Sequence, residues 1–228
     1  ARTLASLGQY IYSWDKEEKS LYINLFVSGD AMVDTEDGEL KIHMETKFPW
    51  ETKVCIRIQN NTKKQIITRI RIPEYAEDYI IIHNRQRVDY SIKNQYAEVM
   101  VNDSVELEVE FKAEAKFVRA NPQVREDAGK VAIVRGPLVY CLEEIDNGTN
   151  LSAISVDTTQ SLVPETDCKG SGYVIVKAQG RRLCEEQWKG GLYGSEKLQE
   201  RDVELVAVPY FYWNNRGVGE MEVWIREA

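Results

Sequence analysis

From residue 105 to residue 112 every second side chain is apolar: Val105, Leu107, Val109 and Phe111 alternate with Glu106, Glu108, Glu110 and Lys112. Side chains of an extended backbone switch faces at each residue, so this segment has one side to bury and one to wet, and it reads as a half-buried antiparallel strand. The same period of two recurs upstream. Leu40, Ile42 and Met44 alternate with Lys41, His43 and Glu45; Val54, Ile56 and Ile58 alternate with Cys55, Arg57 and Gln59. Ile66, Ile70 and Ile72 alternate with Ile67, Arg69 and Arg71 until Pro73 removes a donor and ends the ladder. Residues 21–27 are mostly apolar, as in a strand covered on both sides, and residues 79–83 and 96–101 are further candidates. Short strands separated by turn residues predict an antiparallel sandwich.

Only the beginning departs from this period. Leu4, Leu7, Ile11 and Trp14 fall at helical spacing, with Arg2, Ser6, Gln9 and Ser13 on other faces, which predicts one amphipathic helix of about four turns. No cap precedes it, and only strands follow. It reads as the last helix of a helical domain whose partner helices are absent. Asn121-Pro122, the charges that follow and Gly129 interrupt the periodicity, so a domain boundary is expected there. The predicted fold is all-β, with a helix over 1–15, a first sandwich over 16–122 and a second over 123–228. The second has strands at 131–134, 138–143, 173–178, 203–212 and 220–226. Its polar segment 146–169 reads as the least ordered stretch, and 180–201 as a second long excursion.

The 228 residues are 43% hydrophobic and 29% charged, a globular composition, and no apolar run is long enough to span a bilayer. A net charge of −8 with no basic stripe repels a phosphate backbone, so neither a membrane nor a nucleic acid is an expected partner. Cys55, Cys141, Cys168 and Cys184 form no Cys-x-x-Cys pair and have no histidine at ligand spacing, so they support neither a zinc site nor a redox motif. Buried free thiols are expected, with a Cys168–Cys184 bridge as the lesser alternative. The sequons at Asn60, Asn102, Asn147 and Asn150 carry little weight without a secretory signal, and none is visible. A cytoplasmic setting is therefore expected.

Acid–base hydrolysis usually needs two carboxyl groups flanking the bond to be cleaved. Of the acidic pairs, Glu143-Glu144 and Glu185-Glu186, the first lies on a predicted strand, where neighbours point to opposite faces and cannot clamp one reacting oxygen. Both are expected to be solvated surface. His43 and His83 lie on separate predicted strands and are expected at a surface or edge. Trp188, Tyr193, Tyr210, Tyr212, Trp213 and Trp224 crowd the C-terminal end, and aromatic faces stack on sugar rings. Trp188, Tyr193 and Trp213 are thus the candidate ligand-binding residues. In the competing reading, Tyr210 and Tyr212 fill one face of a strand, 214–217 forms a turn, and Arg216 hydrogen-bonds nearby carbonyls. Gly136-Pro137 after Arg135 predicts a bend at which two strand halves change partners.

Four patches carry a further signal. They are Ala1-Arg-Thr-Leu-Ala-Ser-Leu-Gly-Gln-Tyr-Ile-Tyr12; Phe48-Pro-Trp50 with Arg69-Ile-Arg-Ile-Pro73; Arg119-Ala-Asn-Pro122 leading to Arg135-Gly-Pro-Leu-Val-Tyr140; and Tyr210-Phe-Tyr-Trp-Asn-Asn-Arg-Gly-Val-Gly-Glu-Met-Glu-Val-Trp224. Together they resemble the C-terminal part of glycoside hydrolase family 127, the β-L-arabinofuranosidase-like group. The resemblance implies an α/α-barrel catalytic domain ahead of two β-sandwiches, with zinc and a cysteine nucleophile, from a Cys-Cys-Pro-Pro-Asn motif, held in the barrel. That motif is not in this sequence, and none of the four cysteines aligns with the nucleophile or its zinc partners. No catalytic residue and no metal ligand is therefore expected in this chain. The implied partners are the N-terminal barrel and, in some relatives, a second copy of the chain.

Overall fold

The computed structural model describes residues 2–76, 78–88, 90–167, 172–188, 190–195 and 197–228. The chain divides into two compact units, Ala1–Ala113 and Glu114–Ala228. The all-β class read from the sequence holds in both, and helix is confined to short pieces.

The opening helix is much shorter than the apolar spacing predicts. It runs only over α1, Arg2–Ser6, followed by a single 3-10 turn at Leu7–Tyr10. The chain then enters β1, Tyr12–Asp15, which pairs antiparallel with β2, Ser20–Ile23. Local chemistry accounts for the difference. Gly8 weakens a helix, whereas Ile11, Tyr12 and Trp14 favour a pleated surface. Asp15 Oδ1 accepts hydrogen bonds from the Glu17 and Glu18 amides at 2.9 and 3.1 Å, which closes the β1–β2 turn. Trp14 packs against the core, while Leu4 is 76% exposed and gives the helix nothing to hold.

The first unit continues through β3 (Gly29–Thr35), β4 (Gly38–Thr46), β5 (Lys53–Asn60), β6 (Ile66–Arg71), β7 (Tyr79–His83), β8 (Gln86–Val88), β9 (Ile92–Lys93), β10 (Tyr96–Val101) and β11 (Ser104–Phe111). These form two sheets, ordered β1-β2-β6-β10-β9 and β3-β4-β5-β11-β7-β8. The predicted alternation holds: Leu40, Ile42, Met44, Val54, Ile56, Ile58, Leu107, Val109 and Phe111 are all buried in one core with Leu21, Ile23, Ile70 and Val99 of the other sheet. Each such side chain contributes about 1.5–3 kcal/mol on leaving water. Arg69, on β6, points out of the core yet is largely covered. Its guanidinium pairs with Glu98 at 2.8 Å, with Glu18 and with the Tyr22 hydroxyl, and lies 5.1 Å over the Tyr22 ring.

The second unit comprises β12 (Ala115–Val118), β13 (Lys130–Arg135), β14 (Leu138–Glu143), α2 (Glu144–Asn147), β15 (Ile154–Val156), β16 (Val163–Thr166), β17 (Val174–Leu183), β18 (Glu200–Pro209), β19 (Met221–Glu222) and β20 (Ile225–Glu227). Because β12 is laddered to β13, the Asn121-Pro122 stretch forms a connection inside this unit. Pairing runs β13-β20-β15-β17-β18-β14, and β14 returns to β13, so the ladder closes on itself around a core of Val131, Ile133, Tyr140, Leu142, Val176 and Leu205. The Gly136-Pro137 bend is a two-residue hairpin between Arg135 and Leu138, with Gly136 at φ 56, where a glycine is not strained. Beyond it β13 passes to β20 and β14 to β18 and β19, so the strands do change partners. The segment read as least ordered contains β15 and β16, and Ile154 and Val156 are buried.

Gly180, on β17, sits where two neighbours close in. A Cβ there would lie 2.4 Å from the Ser155 carbonyl oxygen and 2.7 Å from a Leu205 methyl. Gly180→Ala is expected to destabilise the second unit by about 2 kcal/mol through overpacking, read as a lower urea midpoint with an unchanged slope. A midpoint equal to wild type means that the strands move apart freely there.

Candidate functional site

The aromatic candidates fall on two loops of the second unit. Trp188 follows the 3-10 turn Glu185–Gln187; its indole N–H donates to the Gly191 carbonyl at 2.6 Å, and its ring lies against the Gly194 backbone. Tyr193, on the same loop, is 94% exposed. Trp213 lies elsewhere, its ring nearly parallel to that of Tyr210 at 13° and 6.2 Å between centroids, both rings half-exposed. Among the described residues no ring contact joins Trp213 to Trp188 or Tyr193. Trp224 sits in the bend between β19 and β20, so the strand expected over 220–226 is two short ones.

Tyr210 and Tyr212 do not alternate along a strand. β18 ends at Pro209, and Tyr210–Tyr212 forms a 3-10 turn from which Tyr210 meets Trp213 while Phe211 and Tyr212 turn to Tyr173. Phe211 and Tyr212 each meet Tyr173 edge to face, at 5.1 and 5.6 Å. The turn leads to Arg216, whose role also differs from expectation. It binds carboxylates, not carbonyls. Its guanidinium donates to Asp146 Oδ1 at 2.9 Å, pairs with Asp146 Oδ2 and Glu143 Oε2, and lies 5.6 Å over the Tyr212 ring. Burial pulls the guanidinium down from its ordinary pKa, but the bonds to Asp146 and Glu143 outweigh that and leave it above.

Glu143 is therefore no solvated surface residue. It is 4% exposed, and its second oxygen accepts the Asn214 amide at 3.0 Å. Glu143 closes β14 and Glu144 opens α2, so the strand alternation does not carry across this pair. Glu144, the first residue of α2, accepts the Glu220 amide at 2.9 Å. With both Glu143 oxygens and both Asp146 oxygens occupied, the cluster is an ion-paired staple between β14, α2 and the 214–217 turn, and it offers no free acid and base for glycoside chemistry. Two sequons are consumed similarly. Asn147 bridges the Glu143 and Val206 carbonyls and the Val206 amide, and Asn60 donates to the carbonyls of Lys64 and Asn102. Glu185 pairs with Asn150 on an exposed loop.

Cys55, Cys141 and Cys184 are free thiols; Cys168, and with it the possible bridge to Cys184, lies outside the described residues. Burial, with the Glu143 carboxylate adding, pushes the Cys141 thiol up to about 12. The two histidines sit on β4 and β7 as expected, His43 against Asp30 at 2.8 Å and His83 against the Tyr90 hydroxyl at 2.7 Å. Among the described residues no grouping of three or more His, Cys, Asp or Glu could hold a metal ion, so the residues present do not fit the zinc that the resemblance implies. None of the described helices is long and apolar enough to cross a membrane. A cavity of about 750 Å³ opens on the outer face of the six-stranded sheet of the first unit, lined by His43, Asp30, Arg57, Glu106 and neighbours. From the sequence, His43, Arg57 and Glu106 were read only as the polar side of three strands, and Asp30, on β3, was in no reading.

A family model described as the middle domain of GH127 β-L-arabinofuranosidases matches residues 20–114, and one for the glycoside hydrolase family 127 C-terminal domain matches residues 115–226. The chain belongs to glycoside hydrolase family 127. The two family 127 matches meet next to the division at Ala113/Glu114. Among relatives, the chain is 31% identical to a non-reducing end β-L-arabinofuranosidase of Bifidobacterium longum subsp. longum, over 99% of this chain and 36% of that protein. It superposes on the crystal structure of a GH127 β-L-arabinofuranosidase from Geobacillus stearothermophilus T6 with a TM-score of 0.91 at 33% identity, covering 100% of this chain and 36% of that one. A second GH127 β-arabinofuranosidase structure gives 0.85 at 26% identity, covering 100% and 37%. The chain thus spans little more than a third of the length of these relatives.

Glu143→Ala is expected to cost about 3 kcal/mol, since Arg216 is left with Asp146 alone and the Asn214 amide loses its acceptor; Glu143→Gln, which keeps an acceptor, should cost less. Chemical denaturation of the three proteins checks the order. In the native protein Cys141 should resist a thiol reagent at pH 8 while Cys184 reacts, as peptide mapping after labelling would read.

Proposed function

We propose that this chain is the non-catalytic β support of a family 127 glycoside hydrolase, and that the whole enzyme removes β-L-arabinofuranosyl residues, or related sugars, with a catalytic barrel and its zinc supplied by a separate N-terminal domain. The observation that carries this reading is the pair of domain matches over 20–226 in a chain spanning 36% of its relatives. The occupied carboxylates of Glu143 and Asp146 support it, because a general acid needs an oxygen free to meet the leaving group. A cytoplasmic setting belongs to the same reading, supported by the free thiols of Cys55, Cys141 and Cys184 among the described residues. The purified chain should not hydrolyse a chromogenic β-L-arabinofuranoside above the buffer rate, with or without added zinc. Turnover that disappears on replacing a carboxylate of this chain overturns the reading.

One observation favours a second reading, that of a carbohydrate-binding module. The near-parallel, half-exposed pair Tyr210 and Trp213 presents aromatic surface of the kind that stacks on sugars. Saturable quenching of tryptophan emission by an arabinofuranosyl oligosaccharide, abolished by Trp213→Ala, is its expected signature. Unchanged emission across a neutral glycan panel removes it. Pairing of two copies through the second unit is a third role proposed for the family scaffold, and sedimentation over a range of concentrations distinguishes dimer from monomer.

A further inference from the structure

We infer that the outer face of the six-stranded sheet in the first unit is a binding groove for a short neutral oligosaccharide. The register builds it. Asp30 lies opposite His43, His43 opposite Arg57 and Arg57 opposite Glu106, so four polar side chains from β3, β4, β5 and β11 stand in one row across the sheet. Two residues along each strand, Met32, Lys41, Gln59 and Ser104 form a second row. Adjacent strands are about 4.8 Å apart, so each row spans about 14 Å, with about 7 Å between the rows. Over this floor lies the cavity of about 750 Å³, a size ordinary for a ligand pocket.

The charges select the ligand. In the first row a carboxylate stands at each end with an imidazole and a guanidinium between them, and they are satisfied within the row: His43 lies 2.8 Å from Asp30, and Arg57 donates to Glu106 at 3.1 Å. In the second row Lys41 pairs with Glu39 at 3.0 Å. An anion would meet Asp30 and Glu106 at the two ends of the row, and a cation would meet Arg57 and Lys41 in the middle. A polyhydroxylated neutral molecule meets neither penalty, because each hydroxyl both donates and accepts: it can donate to the carboxylates and accept from the guanidinium and amide. Among the described residues the Gln59 and Ser104 side chains have no hydrogen-bond partner, so they are available to it. Met32, 61% exposed, offers an apolar surface for the C–H face of a sugar ring. The groove stands on its own chemistry, and only the choice of an arabinofuranosyl probe rests on the function proposed above.

The test is a ¹⁵N NMR titration of the full chain with an arabinofuranosyl trisaccharide, with cellotriose and with trigalacturonate. Saturable shifts confined to β3, β4, β5 and β11 with a neutral sugar, none with the acidic one, and at least tenfold weaker binding in Gln59→Ala and in Arg57→Ala are the expected results. Binding of cellotriose alone on these strands supports the groove while counting against the arabinofuranosidase reading. Gln59→Ala alters an exposed side chain without a partner and is the control should Arg57→Ala unfold. The inference is overturned if no sugar moves these resonances, if trigalacturonate binds as well as the neutral sugars, or if folded Gln59→Ala binds as wild type does.

Discussion

Backbone hydrogen bonding joins neighbouring strands, the alternation of apolar and polar side chains fixes their register, and register decides which side chains of distant segments meet. A shift of one residue between β5 and β11 would send Val105, Leu107 and Val109 to water and Glu106 and Glu108 into the core. The cost of burying those carboxylates makes that pairing prohibitive, and the same register lines Asp30, His43, Arg57 and Glu106 across the other face. Core and groove in the first unit are therefore two sides of one constraint.

Where a strand is half-buried and long, its sequence announces it. β4, β5, β10 and β11 were legible because alternation over six or more residues outweighs local propensity. β15 was not, because three residues, Ile154-Ser155-Val156, show no period and their polar flanks read as loop. The opening segment shows the opposite failure. Leu4, Leu7, Ile11 and Trp14 meet a helical template over a length that Gly8 and the β1–β2 ladder do not allow to remain helical. Tyr210 and Tyr212 misled for a related reason, since a turn directly after a strand carries the strand's period forward by chance.

The candidate site was less legible than the fold, because burial of a charged residue depends on a partner far away in the chain. Glu143 and Arg216 are separated by most of the second unit, and nothing local to Glu143 announces that it will be covered. The family patches pointed to the right stretches, since both Tyr140 and Arg216 lie in them. In the structure Tyr140 is a core residue whose hydroxyl donates to the Val174 carbonyl, and Arg216 anchors the C-terminal turn. Those two positions hold the second unit together.

The closed ring of six strands in the second unit has a consequence for handling the protein. A ring has no first or last strand, so that part of the ladder offers a foreign chain nowhere to join. The sheets of the first unit end instead at β1, β9, β3 and β8, where backbone donors and acceptors face outward. Asp15, Lys93, Asp30, Asp34 and Arg87 sit on those four margins, and stripping water from them is the barrier against strand-by-strand growth into aggregates.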